Sequence, residues 1–533
     1  MKKASKTSLF NTFRKALGMA LEANKLDTSA DEIIGLTEYT NVNRRQFLES
    51  SGKMALAGML SGCVTENVFA DTLFAKVAPK IVIVGAGMAG LSALHALKKV
   101  GYNATIYEAS KRTSGRILTV HNAMGQGTWA EFGAEFIDTN HRDMWNLAKE
   151  FKLRLIDYGQ ASENKLHKEA FFFDGQNYTL AELVTEFRAF AGKIKADADR
   201  LPDNINYKTK DPYTKKLDNM SLSQYLTKIG ATGWVKRFIE VAYESEYGLS
   251  PEVQSAINLI ILISTDTTHG FELFGESDER YKVRGGNQSI PDAIAKKYPH
   301  NIELNRSLES ISVARTGYSL TFSGQAKPVI ADYVIIAIPF SKLKQVDIRV
   351  PLPAIKRKVI DTLGFGTNAK LMIGMKKHFW RSQGFQGLCY SDNGIPNGWD
   401  NSQLQTPDAG PAGLSILFGG PDGLAVGEGT VMSQKDKYLS KWEQIYKGAK
   451  ANFNGKAYRM HWSSQPFTLG SYICYTKGQY TSISGAEVMP VGNMLFAGEH
   501  CGGEFAGFMN GAAKSGREAA LTIVARVKKN LIV

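Results

Sequence analysis

The stretch Lys80-Ile81-Val82-Ile83-Val84-Gly85-Ala86-Gly87-Met88-Ala89-Gly90-Leu91, closed by Ala104-Thr105-Ile106-Tyr107-Glu108, decides the fold. Ile81 to Val84 are apolar and β-branched without a break, which predicts a strand buried on both faces, as in a parallel sheet. Gly85, Gly87 and Gly90 follow in G-x-G-x-x-G spacing, and Leu91, Leu94 and Leu97 recur at helical spacing. Ala104 to Tyr107 reads as a second strand, and Glu108 stands 18 residues after Gly90. Strand, glycine turn, helix, strand and acid fit a dinucleotide site. Gly85 permits the tight turn, Gly87 lets backbone approach a pyrophosphate, and Gly90 lets helix and strand pack closely. Met88 and Ala89 offer unpaired N–H groups at the helix start, and Glu108 can accept from a ribose hydroxyl. The plain alternative is a Gly-rich turn in an ordinary α/β domain.

The next residues, Glu108-Ala109-Ser110-Lys111-Arg112-Thr113-Ser114-Gly115-Arg116-Ile117-Leu118-Thr119, resemble the E-A-x-x-R-x-G-G-R-x-x-T run of the flavin-containing amine oxidase family. Ser114 departs from it, standing where the family usually has Gly, and predicts a slightly altered turn. The resemblance implies FAD, with Arg116 beside the pyrophosphate. No second G-x-G-x-x-G follows, as a two-nucleotide reductase would need.

The same family organises the rest of the chain, from residue 79 to 525. Glu131-Phe132-Gly133-Ala134-Glu135-Phe136-Ile137 resembles the segment that runs past the flavin ring, so Gly133, Ala134, Glu135 and Phe136 are expected at the cofactor. Tyr281-Lys282-Val283-Arg284-Gly285-Gly286-Asn287 resembles the family's return to the flavin domain. Ile302 to Ile311 is expected to form a strand pair holding the adenine, with the Leu308 backbone nearby. Val334 to Pro339 reads as a buried structural strand. Thr367-Asn368-Ala369-Lys370-Leu371-Met372-Ile373 puts Lys370 at the start of an apolar strand, where the family's lysine holds a water against flavin N5. Without the resemblance, an edge-strand lysine facing solvent is the ordinary reading.

Gln465 to Tyr472 resembles the family's P-x-x-x-G-x-Y segment. Some members attach FAD through a cysteine just before this tyrosine; Ser471 stands there, so non-covalent FAD is expected. Leu495-Phe496-Ala497-Gly498-Glu499-His500 and Gly507-Phe508-Met509-Asn510-Gly511-Ala512 resemble the closing signature. They imply Gly498, Glu499, Phe508, Met509 and Ala512 at the cofactor. Glu499 would bond the ribityl or pyrophosphate region. The small residues Gly511, Ala512, Ala513, Ser515 and Gly516 would let the last helix approach the flavin, its N-terminus favouring charge at N1 and O2. Tyr472 and Phe508 match the two aromatics that flank the amine; Tyr is more usual at the second. Lys370, Tyr472 and Phe508 are therefore the expected catalytic group.

These segments predict an α/β fold: a Rossmann-like FAD-binding domain built from separated segments, with an α+β substrate domain. The expected divisions are 1–70, a targeting segment; 79–140, 271–345 and 481–533, the FAD-binding domain; 141–270, the helical part of the substrate domain, with helices such as Leu180 to Ala196 and Leu222 to Glu244; and 346–480, its sheet, read as strands and aromatic-rich loops. The implied reaction oxidises an amine to an imine, then an aldehyde or ketone plus ammonia, with oxygen reduced to hydrogen peroxide. Three alternatives stand beside it: an L-amino-acid oxidase, which would usually carry Arg where Phe136 stands; a polyamine oxidase, which would want acids in the channel; and an exported flavin-binding protein without turnover.

Length and composition agree. The chain has 533 residues, enough for two or three domains, with 43% apolar and 22% charged residues. Residues 1–70 hold nine Lys/Arg and seven Asp/Glu, so +2 of the net +13 lies there and +11 in the body. No basic block or motif supports nucleic-acid binding. Cys63, Cys389, Cys474 and Cys501 show no metal-ligand spacing, and one disulfide is open to the three that follow the targeting segment. No run of 18 uncharged apolar residues occurs, so no transmembrane span is predicted.

Asn43-Arg44-Arg45-Gln46-Phe47-Leu48-Glu49, then Met54 to Leu60 and Val68-Phe69-Ala70, resemble a bacterial twin-arginine export signal with its apolar run and cleavage site. Glu49, where Lys is usual, and the late start of the arginines are departures; the ordinary alternative is a paired arginine on a surface helix. The resemblance implies the twin-arginine machinery as a partner and export to the periplasm. Leu60-Ser61-Gly62-Cys63 also fits a lipobox, so a lipid anchor at Cys63 ranks below cleavage after Ala70. A homodimer is left open by the sequence.

Overall fold

The structure, a computed structural model, describes residues 78–160, 162–262 and 278–529. The targeting segment, with Arg44, Arg45 and Cys63, lies outside the described residues.

Ile81–Val84 is buried on both faces and forms the centre of a five-stranded, all-parallel sheet. Its neighbours come from far along the chain. Tyr333–Ile336 pairs with it on one side and Ala104–Tyr107 on the other. Met494–Phe496 and Ile302–Glu303 form the edges. Helix Met88–Lys99 follows the first strand, and the last helix, Met509–Lys528, packs on it. A Cβ on Gly516 would lie 2.0 Å from the carbonyl oxygen of Ala89, so glycine sets how closely the two helices meet. The flavin-type domain is thus assembled from separated segments, as the motifs predict.

A seven-stranded sheet forms the second layer, in the order Phe453–His461, Ala369–Met375, Ala412–Phe418, Asn397–Asp400, Phe385–Ser391, His167–Phe173 and Gln176–Tyr178. The described part of 141–270 is mostly helical, as expected, but it also supplies the last two strands of this sheet. Ala170 to Phe173 are buried, and Glu169 to Phe172 align parallel with Leu388 to Ser391. A partner more than 200 residues away leaves no local signal for the strand. Further corrections are smaller. Helix Leu180–Arg200 runs past Ala196, opened by a Thr179–Glu182 capping box. The expected helix Leu222 to Glu244 is two, Leu222–Ile229 and Gly233–Tyr247, separated at Gly230, whose φ is +80°. The region 346–480 also contains helices Ala354–Thr362 and Val431–Ile445.

The expected pair Ile302 to Ile311 divides between two sheets. Ile302–Glu303 joins the parallel sheet, while Leu308–Val313 pairs with Tyr318–Phe322 and Asp347–Arg349 in a four-stranded sheet. The chain turns between them at Asn305, which has a φ of +58°. Cys389, Cys474 and Cys501 are buried thiols, so the disulfide left open by the sequence does not form among them.

Candidate active site

A cavity of about 610 Å³ runs from the glycine loop to the large sheet. Its walls bring together Gly85, Gly87, Met88, Ala89, Glu108, Ala109, Gly115 and Arg116 from the opening motif. Gly133, Ala134, Glu135, Phe136, Lys370 and Tyr472 come from the middle of the chain, and Gly498, Glu499, Phe508, Met509 and Ala512 from its end.

The three opening glycines divide their work as their spacing predicts. Gly85 has a φ of +103°, and a Cβ there would meet the Ala337 carbonyl oxygen at 2.9 Å. A Cβ on Gly90 would lie 1.9 Å from the Gly85 carbonyl oxygen, so Gly90 serves packing and does not line the cavity. Gly87 differs: a Cβ there would find only the Gly115 Cα, at 3.9 Å. No protein atom requires glycine at 87. The free space lies at the N-terminus of helix Met88–Lys99, whose first turn carries no acid, and it fits a pyrophosphate. Glu108 closes this end, accepting from Ala86 N at 2.7 Å and Ser110 N at 2.8 Å.

Ser114 explains how the departure from the family pattern is tolerated. Its φ is +77°, a region that favours glycine. Its hydroxyl donates to the Ile117 carbonyl at 2.7 Å and accepts from Arg112 at 2.8 Å, offsetting that strain. Arg112 also donates to the carbonyls of Thr113 and Gly115 and so holds the loop. Arg116 is engaged differently from the expectation. Its Nη1 donates to Glu499 Oε1 at 2.9 Å and to the Ser471 carbonyl at 2.5 Å, tying the opening motif to the closing one.

Lys370 is buried in a strand paired on both sides, which removes the edge-strand reading. Its Nζ donates to the carbonyls of Glu131 (3.1 Å) and Gly133 (2.9 Å) and to Glu135 Oε2 (2.6 Å). An ammonium has three donors, and all three have partners here. With all three engaged, the expected water-holding role requires one of these bonds to open. Glu135 in turn accepts from Lys282 at 2.5 Å and from Trp399 Nε1 at 2.8 Å. Burial alone would raise its pKa, but Lys282 and then Lys370 hold it down at about 2. Lys282 is raised above the ordinary lysine range by Glu135, against burial. Burial pushes Glu131 up to about 7, against hydrogen bonds from Asn287 N and the Thr119 hydroxyl.

Three expectations at the cofactor are corrected. Leu308 is 8% exposed and packs in the core beneath the four-stranded sheet; Asn305 lines the cavity instead. Gly516 faces Ala89, and a Cβ on Gly511 would lie 2.0 Å from the Phe505 carbonyl oxygen. The small residues of the last helix therefore serve chain packing, and Ala512 is the one of the five that lines the cavity. Ala337, Ile338 and Pro339, read as structural, also line it.

Sequence reasoning missed Lys282, Glu279, Asn397, Trp399 and Trp462. Lys282 lies inside the Tyr281–Asn287 motif, which is its one local signal; nothing local marks the others. Trp399 and Trp462 add to the apolar wall, with Trp462 Nε1 donating to the Phe132 carbonyl at 3.2 Å. Phe508 packs edge-on against His141, with ring centroids 5.0 Å apart.

Fold and site define a nucleotide-binding oxidoreductase built around a flavin-sized cleft. Residues 88–524 match the family described as flavin containing amine oxidoreductase, and the chain belongs to that family. A flavin-containing amine oxidase of Danio rerio is 23% identical over 474 residues, covering 84% of this chain and 86% of that protein. An L-amino-acid oxidase of Protobothrops flavoviridis is 24% identical over 464 residues, covering 83% and 88%. The fold is shared with a putrescine oxidase solved with putrescine (TM-score 0.72, 20% identity, 84% of this chain and 100% of that one). It is also shared with the cyclohexylamine oxidase of Brevibacterium oxydans (TM-score 0.73, 21% identity, 85% and 100%). FAD is the cofactor this membership implies, and the unfilled space at Gly87 fits it. No helix among the described residues is long and apolar enough to cross a membrane.

Proposed function

We propose that this protein oxidises a primary amine to an imine, with oxygen reduced to hydrogen peroxide, and that water then converts the imine to an aldehyde or ketone plus ammonia. Bound FAD would take two electrons from the amine and pass them to oxygen. The chain supplies the rest. Gly85, Gly87, Met88, Ala89, Glu108 and the Arg116–Glu499 pair would hold the dinucleotide. Phe136, Trp399, Tyr472 and Phe508 exclude water and favour the uncharged, reactive amine. Ser471, whose hydroxyl donates to Asn368 at 2.6 Å, supports non-covalent attachment. The observation that carries the reading is the convergence of Lys370, Tyr472 and Phe508 on the cavity lined by the glycine loop. A peroxide-coupled screen of purified protein against monoamines, polyamines and L-amino acids tests it. Absence of peroxide and of flavin bleaching with every amine would leave a flavin-binding protein without turnover.

Phe136 argues against an amino-acid substrate. Arg112 and Arg116, the arginines among the described lining residues, are both engaged by the chain itself. A different observation favours an amine with a second hydrogen-bond-donating group, such as the far amino group of a diamine. Glu279 lines the cavity, is 7% exposed, and its Oε2 has no hydrogen-bond partner. Asn397 Oδ1 is likewise an unmatched acceptor on the wall. Glu279→Gln should lower kcat/KM for diamines about tenfold and leave monoamines of equal length unchanged. Equal losses for both would assign Glu279 to the fold.

The Arg44-Arg45 segment supports export to the periplasm. Arg44→Lys with Arg45→Lys should retain the precursor in the cytoplasm with its flavin content intact; export at the normal level would end this reading.

A further inference from the structure

Lys282, Glu135 and Lys370 form one connected buried cluster. Glu135 Oε1 lies 2.5 Å from Lys282 Nζ, and Oε2 lies 2.6 Å from Lys370 Nζ. The three residues are 1%, 7% and 6% exposed. Two cations share one anion, so the cluster carries one positive charge in excess.

A cluster kept for stability alone would be expected to balance, because an extra buried ion costs several kcal/mol. Here the surroundings accommodate the excess. Lys370 has its two carbonyl acceptors, and Lys282 lies over the rings of Phe136 (4.5 Å) and Tyr158 (5.2 Å). Trp399 Nε1 gives Glu135 a further donor. Other ionisable groups nearby do not cancel the charge at pH 6. Burial pushes Glu131 up to about 7 and raises Glu279 well above the ordinary carboxyl range, Arg116 is paired with Glu499, and His378 is paired with Asp400. Glu135 and Lys370 form part of the cavity wall. A fixed positive charge stabilises negative charge that develops beside it, most strongly where water is excluded.

Resting on the assignment of FAD to this cavity, we propose that Glu135 and Lys282 set the reduction potential of the bound flavin by maintaining this single excess charge. Lys282 acts through Glu135 and is a positioning residue; it does not line the cavity. Flavin gains negative charge on reduction, so each added buried positive charge eases reduction and each one removed opposes it.

The test is a charge series measured by anaerobic redox titration of the purified flavoprotein at pH 6. Glu135→Gln takes the cluster from +1 to +2 and should shift the midpoint potential upward. Lys282→Met takes it to 0 and should shift the potential downward. The double variant returns it to +1 and should return the potential toward wild type, even where one single variant folds poorly. Thermal melting of the flavin-free proteins supplies a readout independent of turnover: a packing role predicts additive losses of stability with no ordered potentials. Shifts of the same sign in both single variants, or a double variant displaced further than either, overturn the proposal. A chain that takes up no FAD overturns the cofactor assignment as well, whereas a flavoprotein with disordered potentials overturns this proposal alone.

Discussion

Glu135 Oε2 accepts from Lys370 Nζ at 2.6 Å and, with the carbonyls of Glu131 and Gly133, occupies every N–H of that ammonium. The lysine that the family pattern marks as catalytic is therefore held as part of a wall. Its contribution to turnover and its contribution to the fold are coupled.

Lys370→Met should lower amine turnover more than tenfold while FAD is retained, because the nucleotide end of the cavity is untouched. Stability should fall by about 1–3 kcal/mol, since two carbonyls and a carboxylate oxygen lose their donor. Stopped-flow reduction and thermal melting measure the two effects. Unchanged reduction with a lower melting temperature would make Lys370 a fold residue.

Gly87 and Gly90 should separate cleanly. Gly87→Val has free space in the protein and should fold normally but fail to take up FAD. Gly90→Val meets the Gly85 carbonyl and should destabilise the apoprotein itself. Flavin content and apoprotein melting decide between them, and normal flavin occupancy in Gly87→Val would remove the pyrophosphate from this loop.

Tyr472→Ala should reduce kcat/KM for amines about tenfold, in keeping with roughly 0.5–2 kcal/mol for one aromatic face of the cage. Flavin content and melting temperature should change little, because the ring lines the cavity. A large loss of stability with normal turnover per flavin would mark the ring as core.

Glu131 predicts a pH dependence of stability. Its folded pKa is raised from 4.5 to about 7, so between those values the folded chain keeps a proton that the unfolded chain releases. The contribution is fully present below pH 4.5 and is lost as pH rises through 7, a change of about 3 kcal/mol at 1.36 kcal/mol per unit. Glu131→Gln should lack this decline, gaining on wild type between about pH 5 and 7 and levelling off above. Parallel melting curves for the two proteins across that range would contradict it.

Acid or heat should release intact FAD into the supernatant, because Ser471 stands where a thiol would attach it and the three described cysteines do not line the cavity. Flavin that stays with the precipitated chain would show a covalent link.

The sequence made the opening loop legible because its signals are local: strand, glycines, helix and acid lie within thirty residues. Tyr472, Phe508 and Glu499 were legible through family order. The Glu135 clamp was not, because Lys282, Glu135 and Lys370 come from three segments and meet only in space. The glycine and alanine stripe of the last helix points by its pattern to the cofactor, yet Gly516 and Gly511 answer to Ala89 and Phe505, which no helical period reveals. Strand order puts Leu308 at the adenine, whereas the turn at Asn305 carries it into another sheet. The strand His167–Phe173 looks like any aromatic run until its distant partner is known.

The contact between Gly516 and Ala89 fixes when this enzyme can become a flavoprotein. The central strand Ile81–Val84 waits some 250 residues for Tyr333–Ile336, and the helix behind it stays uncovered until the last twenty residues of the described chain are made. During synthesis at about 5–20 residues per second, the pyrophosphate loop therefore exists for tens of seconds without the elements that brace it. Cofactor capture belongs to the finished polypeptide, and a ribosome-bound chain truncated before Met494 should emerge colourless however much FAD surrounds it.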